Sequence, residues 1–116
     1  MILRRADHAA TRVVNCHKGT GVLWCAEMLG DYSKVGTGFA YIHENFLEPG
    51  ASIGEHLHEK DEEVYFILRG HGVMRVDGVD EPIGPGDVCL TRIGHTHALT
   101  NGTQEVMHFL VLAANV

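Results

Sequence analysis

Residues 50–70 read GASIGEHLHEKDEEVYFILRG, and this stretch is the most informative part of the chain. It sets His56 and His58 two residues apart and follows them with the carboxylate pair Glu62 and Glu63. In a β-strand, residues i and i+2 point to the same face, so both histidines can hold one metal ion between them. Imidazole nitrogen together with carboxylate oxygen suits a divalent transition metal and requires no thiolate. A second stretch, residues 86–101 (GDVCLTRIGHTHALTN), offers a further histidine on another predicted strand.

Length and composition indicate a single cytoplasmic domain. A chain of 116 residues with 45% apolar side chains predicts one globular domain, 1–116, with a real core. A net charge of −6 argues against nucleic acid or an acidic membrane surface as a partner. No apolar run reaches membrane-spanning length, and the first residues lack the apolar core of a signal peptide. Three cysteines, Cys16, Cys25 and Cys89, are an odd number without CxxC spacing and predict reduced thiols.

Short, evenly spaced apolar runs separated by glycine predict an all-β sandwich or barrel. The predicted strands are Val22–Met28, Phe39–Leu47, Ser52–His56, Val64–Arg69, Val73–Asp77, Val88–Thr91, His97–Thr100 and Glu105–Leu112. Asp77-Gly78 predicts a hairpin between the strand Val73–Asp77 and residues 79–83. Residues 64–68 are apolar at consecutive positions, which predicts a strand covered on both faces. Within residues 1–20 we expect a short helix or turn.

The two stretches resemble the signature motifs of the cupins, which are small jelly-roll barrels of two β-sheets. The first motif reads glycine, five residues, His-x-His, four residues, glutamate, six residues, glycine, and here it is formed by Gly50, His56, His58, Glu63 and Gly70. The second is formed by Gly86, Arg92, Gly94, His97 and Asn101. Arg92 stands where the family has proline, which puts the shape of that turn in question and leaves the ligand set intact. The resemblance implies the cupin double-stranded β-helix, preceded by an N-terminal arm of residues 1–37.

The resemblance also implies that one divalent transition metal ion (Mn, Fe, Ni, Co, Cu or Zn) binds inside the barrel. Its ligands would be His56, His58, Glu63 and His97. Four ligands leave two adjacent positions of an octahedron open for water or a chelating molecule. Glu62 competes with Glu63, and the family's spacing to the following glycine favours Glu63. The same spacing selects His97 over His95, which we expect in the turn or at the mouth of the barrel.

Three further residues are candidates for proton transfer: Tyr65, His43 and His108. Tyr65 lies two residues from Glu63 and shares its strand face. His43 and His108 lie in predicted strands, where each is either a general base lining the cavity or an ordinary hydrogen-bonded histidine. His43 shares a face with Tyr41 and Asn45, and this polar stripe contacts the ligand only if it points inward. The remaining histidines His8, His17 and His71, together with Arg92, are predicted to lie at the surface.

The fold alone does not select a reaction. The leading hypothesis is a metal-dependent enzyme acting as a Lewis acid on a small oxygen-rich metabolite: a sugar, a sugar phosphate or a carboxylic acid. The second is an iron- or manganese-dependent dioxygenase, although the intact glutamate argues against the thiol-dioxygenase branch. The third is a non-catalytic module that binds or senses a small molecule. Because cupins commonly pair through sheet edges, a homodimer is also expected.

Overall fold

The computed structural model describes residues 1–30, 32 and 36–116. The other four positions of the predicted N-terminal arm, 1–37, lie outside the described residues. The described strands are β1 (Thr11–Val14), β2 (Val22–Glu27), β3 (Phe39–Leu47), β4 (Ser52–Leu57), β5 (Asp61–Arg69), β6 (Gly72–Val76), β7 (Val79–Ile83), β8 (Val88–Thr91), β9 (Thr96–Thr100) and β10 (Met107–Asn115). Two 3-10 turns, Arg5–Asp7 and Cys16–Lys18, flank β1. Within these ranges, no helix is long and apolar enough to cross a membrane.

The strands form two antiparallel sheets that face each other. One sheet has six strands in the order β1-β2-β3-β10-β5-β8, and the other has four in the order β4-β9-β6-β7. The apolar core lies between them and includes the fully buried side chains of Leu47, Ile67, Leu99, Met107 and Phe109. This architecture confirms the all-β fold of two sheets that the strand pattern predicted.

Hydrophobic alternation located most strands to within a few residues. The predicted hairpin at Asp77-Gly78 is confirmed, because β6 and β7 pair antiparallel across it. Both turn residues have positive φ angles, 50° and 79°, as a tight two-residue turn of this kind requires. The strand containing Glu63 begins at Asp61 rather than at Val64, so the glutamate lies within β5.

The N-terminal segment contains the short turns that were expected, and one expectation about β5 was wrong. Residues 1–20 hold the turns Arg5–Asp7 and Cys16–Lys18 together with the strand β1, which pairs with β2. The strand β5 is not covered on both faces, since Phe66 is 38% and Leu68 is 40% exposed on its outer side. Consecutive apolar residues are typical of a strand buried on both faces, but here only the inward positions are covered. The homodimer stays a prediction. The exposed side chains of Phe66 and Leu68 favour it, since exposed apolar patches often mark protein interfaces.

Candidate metal centre

Three strands bring four polar side chains into the space between the sheets. In the four-stranded sheet, His56 on β4 is the direct antiparallel partner of His97 on β9. His58 follows the end of β4, and Glu63 lies on β5 in the opposite sheet. The inward-facing histidines of the four-stranded sheet therefore meet the inward-facing Glu63 of the six-stranded sheet between the two layers. His58, Glu63 and His97 are buried, with 6%, 4% and 0% of their surfaces exposed.

The donor atoms of these four residues form a compact group, which we call the metal cluster. The Nε2 atom of His97 lies 3.0 Å from the Nε2 atoms of both His56 and His58. The Oε1 atom of Glu63 lies 3.1 Å from His97 Nε2 and 3.3 Å from His58 Nε2. Each residue offers one donor atom, and all four donors lie within 4.8 Å of one another. Four such donors at these distances could hold one metal ion.

The opposite nitrogen of each clustered histidine is held by the surrounding protein. His56 Nδ1 donates to the carbonyl oxygen of Gly54 at 2.7 Å, and His58 Nδ1 donates to the carboxylate of Asp61 at 2.9 Å. His97 Nδ1 meets the hydroxyl of Thr91 at 2.7 Å. Partners of this kind fix the ring orientation and tautomer of metal-binding histidines. With the proton on Nδ1, the lone pair on Nε2 points towards the centre of the cluster.

Glu63 is held through only one of its two carboxylate oxygens. The hydroxyl of Tyr41 donates a hydrogen bond to Oε2. The two residues lie on β3 and β5 and share Ala113 of the intervening β10 as register partner, and its small side chain leaves room for the contact. Among the described residues, Oε1 is buried without a hydrogen-bond partner, although the Nε2 atom of His97 lies 3.1 Å away. A buried carboxylate oxygen without a donor favours a cation beside it.

Charge and burial keep the cluster in the form that a metal needs. Burial, helped by the neighbouring histidines and opposed by the hydrogen bond to Gly54, lowers the pKa of His56 to about 4, so this ring is neutral near pH 7. Burial raises the pKa of Glu63, but the contacts with His97 and Tyr41 outweigh it and hold that pKa below its usual value. Metal ligands must be deprotonated, and both groups meet that condition.

The spacing of the donor atoms is that of ligands around one metal ion. With metal–ligand bonds of about 2.1 Å, adjacent octahedral positions lie about 3.0 Å apart and tetrahedral positions about 3.4 Å apart. Three donor pairs of the metal cluster lie 3.0 to 3.1 Å apart, near the octahedral value, and the pair formed by Glu63 and His58 lies 3.3 Å apart, nearer the tetrahedral value. The residues therefore fit the ion that the motifs predicted.

Two cavities border the metal cluster. An inner cavity of about 230 Å³ extends into the barrel and includes Tyr41, His43, Asn45 and Tyr65 in its wall. An outer cavity of about 250 Å³ opens past Leu57, Lys60 and Asp61, and His17, Tyr41 and His56 border both. A larger groove of about 550 Å³ lies between β7 and β8, but no cluster residue borders it. Size alone therefore does not identify the site.

The structure brings two of the three candidate proton carriers to the cluster. Tyr65 is 4% exposed and its ring lies 5.0 Å from that of His97, with burial raising the pKa of its hydroxyl. His43 lines the inner cavity and contacts Glu27 through Nε2. His108 lies away from the cluster, on the outer face of β10, where its ring stacks on Phe46 and its Nε2 atom contacts Glu44 of β3. Alternation places it opposite the buried inward residues of that strand.

The polar stripe of β3 points inward. Asn45 is 3% exposed, and its side-chain oxygen is buried without a hydrogen-bond partner. Together with Tyr41 and His43 it forms one wall of the inner cavity. Arg92 is exposed, as predicted. The side chain of the motif asparagine Asn101 binds the backbone of two neighbouring segments, residues 47–48 and 103–105, and is not among the donors of the metal cluster.

Four residues that support the metal cluster had no assigned role in the sequence analysis. They are Tyr41, Asp61, Thr91 and His17. Asp61 lies three residues after His58, a spacing that could have suggested a local hydrogen bond. The others contact the cluster across strands or from the N-terminal arm, so only tertiary structure reveals them.

Comparison with known proteins agrees with the fold. Residues 46–113 match the cupin domain family (Cupin_2). An oxalate-binding protein of Thermotoga maritima is 33% identical over 112 residues, which cover 97% of this chain and 92% of that protein. The crystal structure of a predicted oxalate decarboxylase of the same organism superposes with a TM-score of 0.91 at 32% identity, covering 100% of both chains. A polyketide cyclase of Streptomyces resistomycificus has a TM-score of 0.77 at 23% identity, covering 98% of this chain and 78% of its own, which shows the fold alone.

Proposed function

This chain belongs to the cupin domain family, and on that premise we propose that it binds one divalent metal ion and uses it to hold a small dicarboxylate such as oxalate. The observation that carries the proposal is the convergence of three histidine Nε2 atoms on a buried, unpartnered oxygen of Glu63. The names of two relatives, an oxalate-binding protein and a predicted oxalate decarboxylase, support the choice of ligand class. Those names favour a carboxylic acid over the sugars and sugar phosphates that the sequence analysis also considered.

The proposal assigns a separate task to each part of the site. His56, His58 and His97 present neutral nitrogen lone pairs, and Glu63 supplies the single negative charge. A divalent ion held there keeps one net positive charge and can polarise a carboxylate or carbonyl that chelates it. Because the whole chain carries a net charge of −6, the attraction for an anion must be local to the cavity.

The size of the inner cavity favours a ligand with few heavy atoms. Its volume, about 230 Å³, lies below the range of about 300–1,000 Å³ that is typical of drug-sized ligand sites. Tyr65 and Asn45 border this cavity, and the side-chain amide oxygen of Asn45 is buried without a hydrogen-bond partner among the described residues. A short dicarboxylate or hydroxy acid would fill the space between the metal cluster and these groups.

A second candidate function is the metal-dependent enzyme, which the buried hydroxyl of Tyr65 favours. A buried hydroxyl beside the cluster, with its pKa raised, can donate a hydrogen bond to a ligand and hold or move a proton at that position. His43 borders the same cavity and supplies a second titratable group. Catalysis predicts turnover of the bound compound, whereas a binding module predicts tight binding without a product. Oxygen consumption during turnover would instead identify the dioxygenase alternative.

The test combines metal analysis with calorimetric titration. Protein purified without chelator should contain about one divalent metal ion per chain by mass spectrometry. Oxalate should bind the metal-loaded protein and should not bind the chelator-stripped protein. The double variant His56→Ala/His58→Ala should lose both the metal and oxalate binding yet remain a folded β protein by circular dichroism.

A matched control is His71→Ala, which removes an exposed histidine that lines no part of the metal cluster. It should keep metal occupancy and oxalate affinity. Full metal occupancy in the double variant would show that the metal lies elsewhere. Equal oxalate affinity in the loaded and stripped proteins would contradict the role of the metal.

A further inference from the structure

A short loop at residues 15–18 brings a fourth histidine to the metal cluster. The ring of His17 stacks on the ring of His56, with centroids 3.7 Å apart and planes 11° from parallel. His17 is exposed overall, as predicted for a surface residue, but one face of its ring is covered in this way. It also borders both the inner and the outer cavity. It therefore stands where a ligand would pass from one cavity to the other.

The loop has a backbone that only the surrounding structure can maintain. Asn15, His17 and Lys18 have φ angles of 54°, 51° and 63°, a region that residues other than glycine and asparagine rarely adopt. Hydrogen bonds hold the segment after the loop to the start of β4, since Ser52 N donates to Thr20 O at 2.7 Å and Thr20 N donates to Ser52 Oγ at 3.0 Å. Strained residues that persist under such restraint cluster at functional sites.

Two glycines let the loop lie directly against β4. A Cβ atom on Gly54 would lie 2.1 Å from the carbonyl oxygen of His17, and one on Gly19 would lie 2.3 Å from the carbonyl oxygen of Ser52. Neither contact is possible with a side chain, so both positions require glycine. Gly54 also accepts the Nδ1 hydrogen bond of His56. The segment of β4 around Gly54 therefore contacts the loop and also orients His56, the histidine on which His17 stacks.

We propose that His17 is a positioning residue for His56 and a hydrogen-bond donor to the anion held at the metal. Stacking restricts rotation of the His56 ring and keeps its Nε2 atom directed at the cluster. The ring nitrogens of His17 make no hydrogen bond within the described part of the chain, and the ring borders both cavities. Either nitrogen can donate to an oxygen of a chelated dicarboxylate. This inference rests on the proposed function and deepens it by assigning a residue outside both motifs to the selection of the ligand.

Two substitutions separate the stacking role from the donor role. His17→Ala removes both the ring and the N–H group, so metal affinity should fall about 10-fold, the lower end of the loss seen for groups that orient metal ligands. His17→Phe keeps an aromatic ring to stack on His56, so metal affinity should return to near the wild-type value. On metal-saturated protein, both variants should bind oxalate about 10-fold more weakly, because neither offers the N–H donor. Equilibrium dialysis measures the first quantity and calorimetric titration the second.

A second pair of variants tests the loop without changing His17. Gly54→Ala drives a Cβ atom into the His17 carbonyl and should lower metal affinity as His17→Ala does. Gly102→Ala is the matched control, since a Cβ atom there meets no atom within 4 Å, and it should leave metal affinity unchanged. Melting temperatures of the metal-free proteins identify any variant that fails to fold.

The outcomes distinguish this inference from the proposed function. If the wild-type protein binds no metal, the proposed function is wrong and the inference falls with it. If the wild type binds metal and oxalate while His17→Ala binds both as tightly, only the role of His17 is overturned. A His17→Phe variant that recovers no metal affinity would overturn the stacking role, and one that recovers full oxalate affinity would overturn the donor role.

Discussion

The interior between the two sheets has a polar end and an apolar end, and the same strands build both. On β9, His97 belongs to the polar end and Leu99 to the apolar end, and both are fully buried. On β5, Glu63 and Ile67 show the same change over four residues. Burial is equal at the two ends, but only the apolar end gains free energy from removing hydrocarbon from water. Equal burial therefore does not imply an equal contribution to folding.

The polar end costs stability in the absence of a metal ion. A buried carboxylate oxygen without a donor, such as Oε1 of Glu63, loses its hydration without a replacement partner. The hydroxyl of Tyr41 donates a hydrogen bond to the other oxygen, Oε2, and replaces the lost hydration there only. The comparison thus separates two kinds of residue: those that hold the sheets together and those that the sheets hold in place for binding. Substitutions at the two ends should affect different measurements.

The largest effect on stability is expected at the apolar end. Phe109→Ala removes a ring that is 0% exposed and should lower the free energy of unfolding by about 3–5 kcal/mol, because it removes apolar burial and leaves a cavity. Urea denaturation of the chelator-treated protein measures this change. The matched control is Phe66→Ala, whose ring is 38% exposed and should cost far less. Equal losses in the two variants would show that the apolar end is not where stability is concentrated.

The sequence predicted the polar end better than its surroundings, for a physical reason. His56, His58 and Glu63 lie within eight residues of one another, so local spacing predicted a cluster that the structure then brought together. The contact between Tyr41 and Glu63 joins strands on either side of β10, and only the register of that strand determines it. No local pattern specifies such a register.

The same limit explains the expectations that failed and the one strand whose bounds were not predicted. That strand, Thr11–Val14, is only four residues long and pairs with the edge that β2 offers. Phe66 is as apolar as its buried neighbours, so composition alone does not show that its side of β5 faces outward. The position of His108 outside the cavity has a similar cause. Which residues of β10 point inward depends on which face of that strand meets the other sheet.

An intermediate effect is expected when the charge of the polar end is removed. Glu63→Gln takes away the only carboxylate among the four clustered donors and should weaken metal binding on the order of 100-fold. Glu62→Gln is the matched control, as its side chain points to the opposite face of β5 and should leave metal affinity unchanged. Metal affinity measured by competition with a chelator compares them, and the reverse order would shift the ligand by one residue.

The smallest effect is expected from pH, and it belongs to the polar end alone. The pKa of His56 is lowered from 6.5 to about 4 in the folded protein, chiefly by burial, so the unfolded chain binds a proton between these values that the folded protein does not. Stability of the metal-free protein should therefore fall as pH decreases through this window. Glu63, with its folded pKa held below its usual 4.5, adds a loss of the same sign at lower pH.

Because the His56 ring is only partly buried, the loss between pH 6.5 and 4 should be on the order of 1 kcal/mol after allowance for solvent screening. Chemical denaturation of the chelator-treated protein across this range measures it. In His56→Gln the titrating ring is absent, so the decline over this window should become shallower, whereas Phe66→Ala should shift the whole curve without changing its slope. A slope unchanged in His56→Gln would mean that other groups cause the decline. The cost of burying polar groups would then not be concentrated where the metal ligands lie.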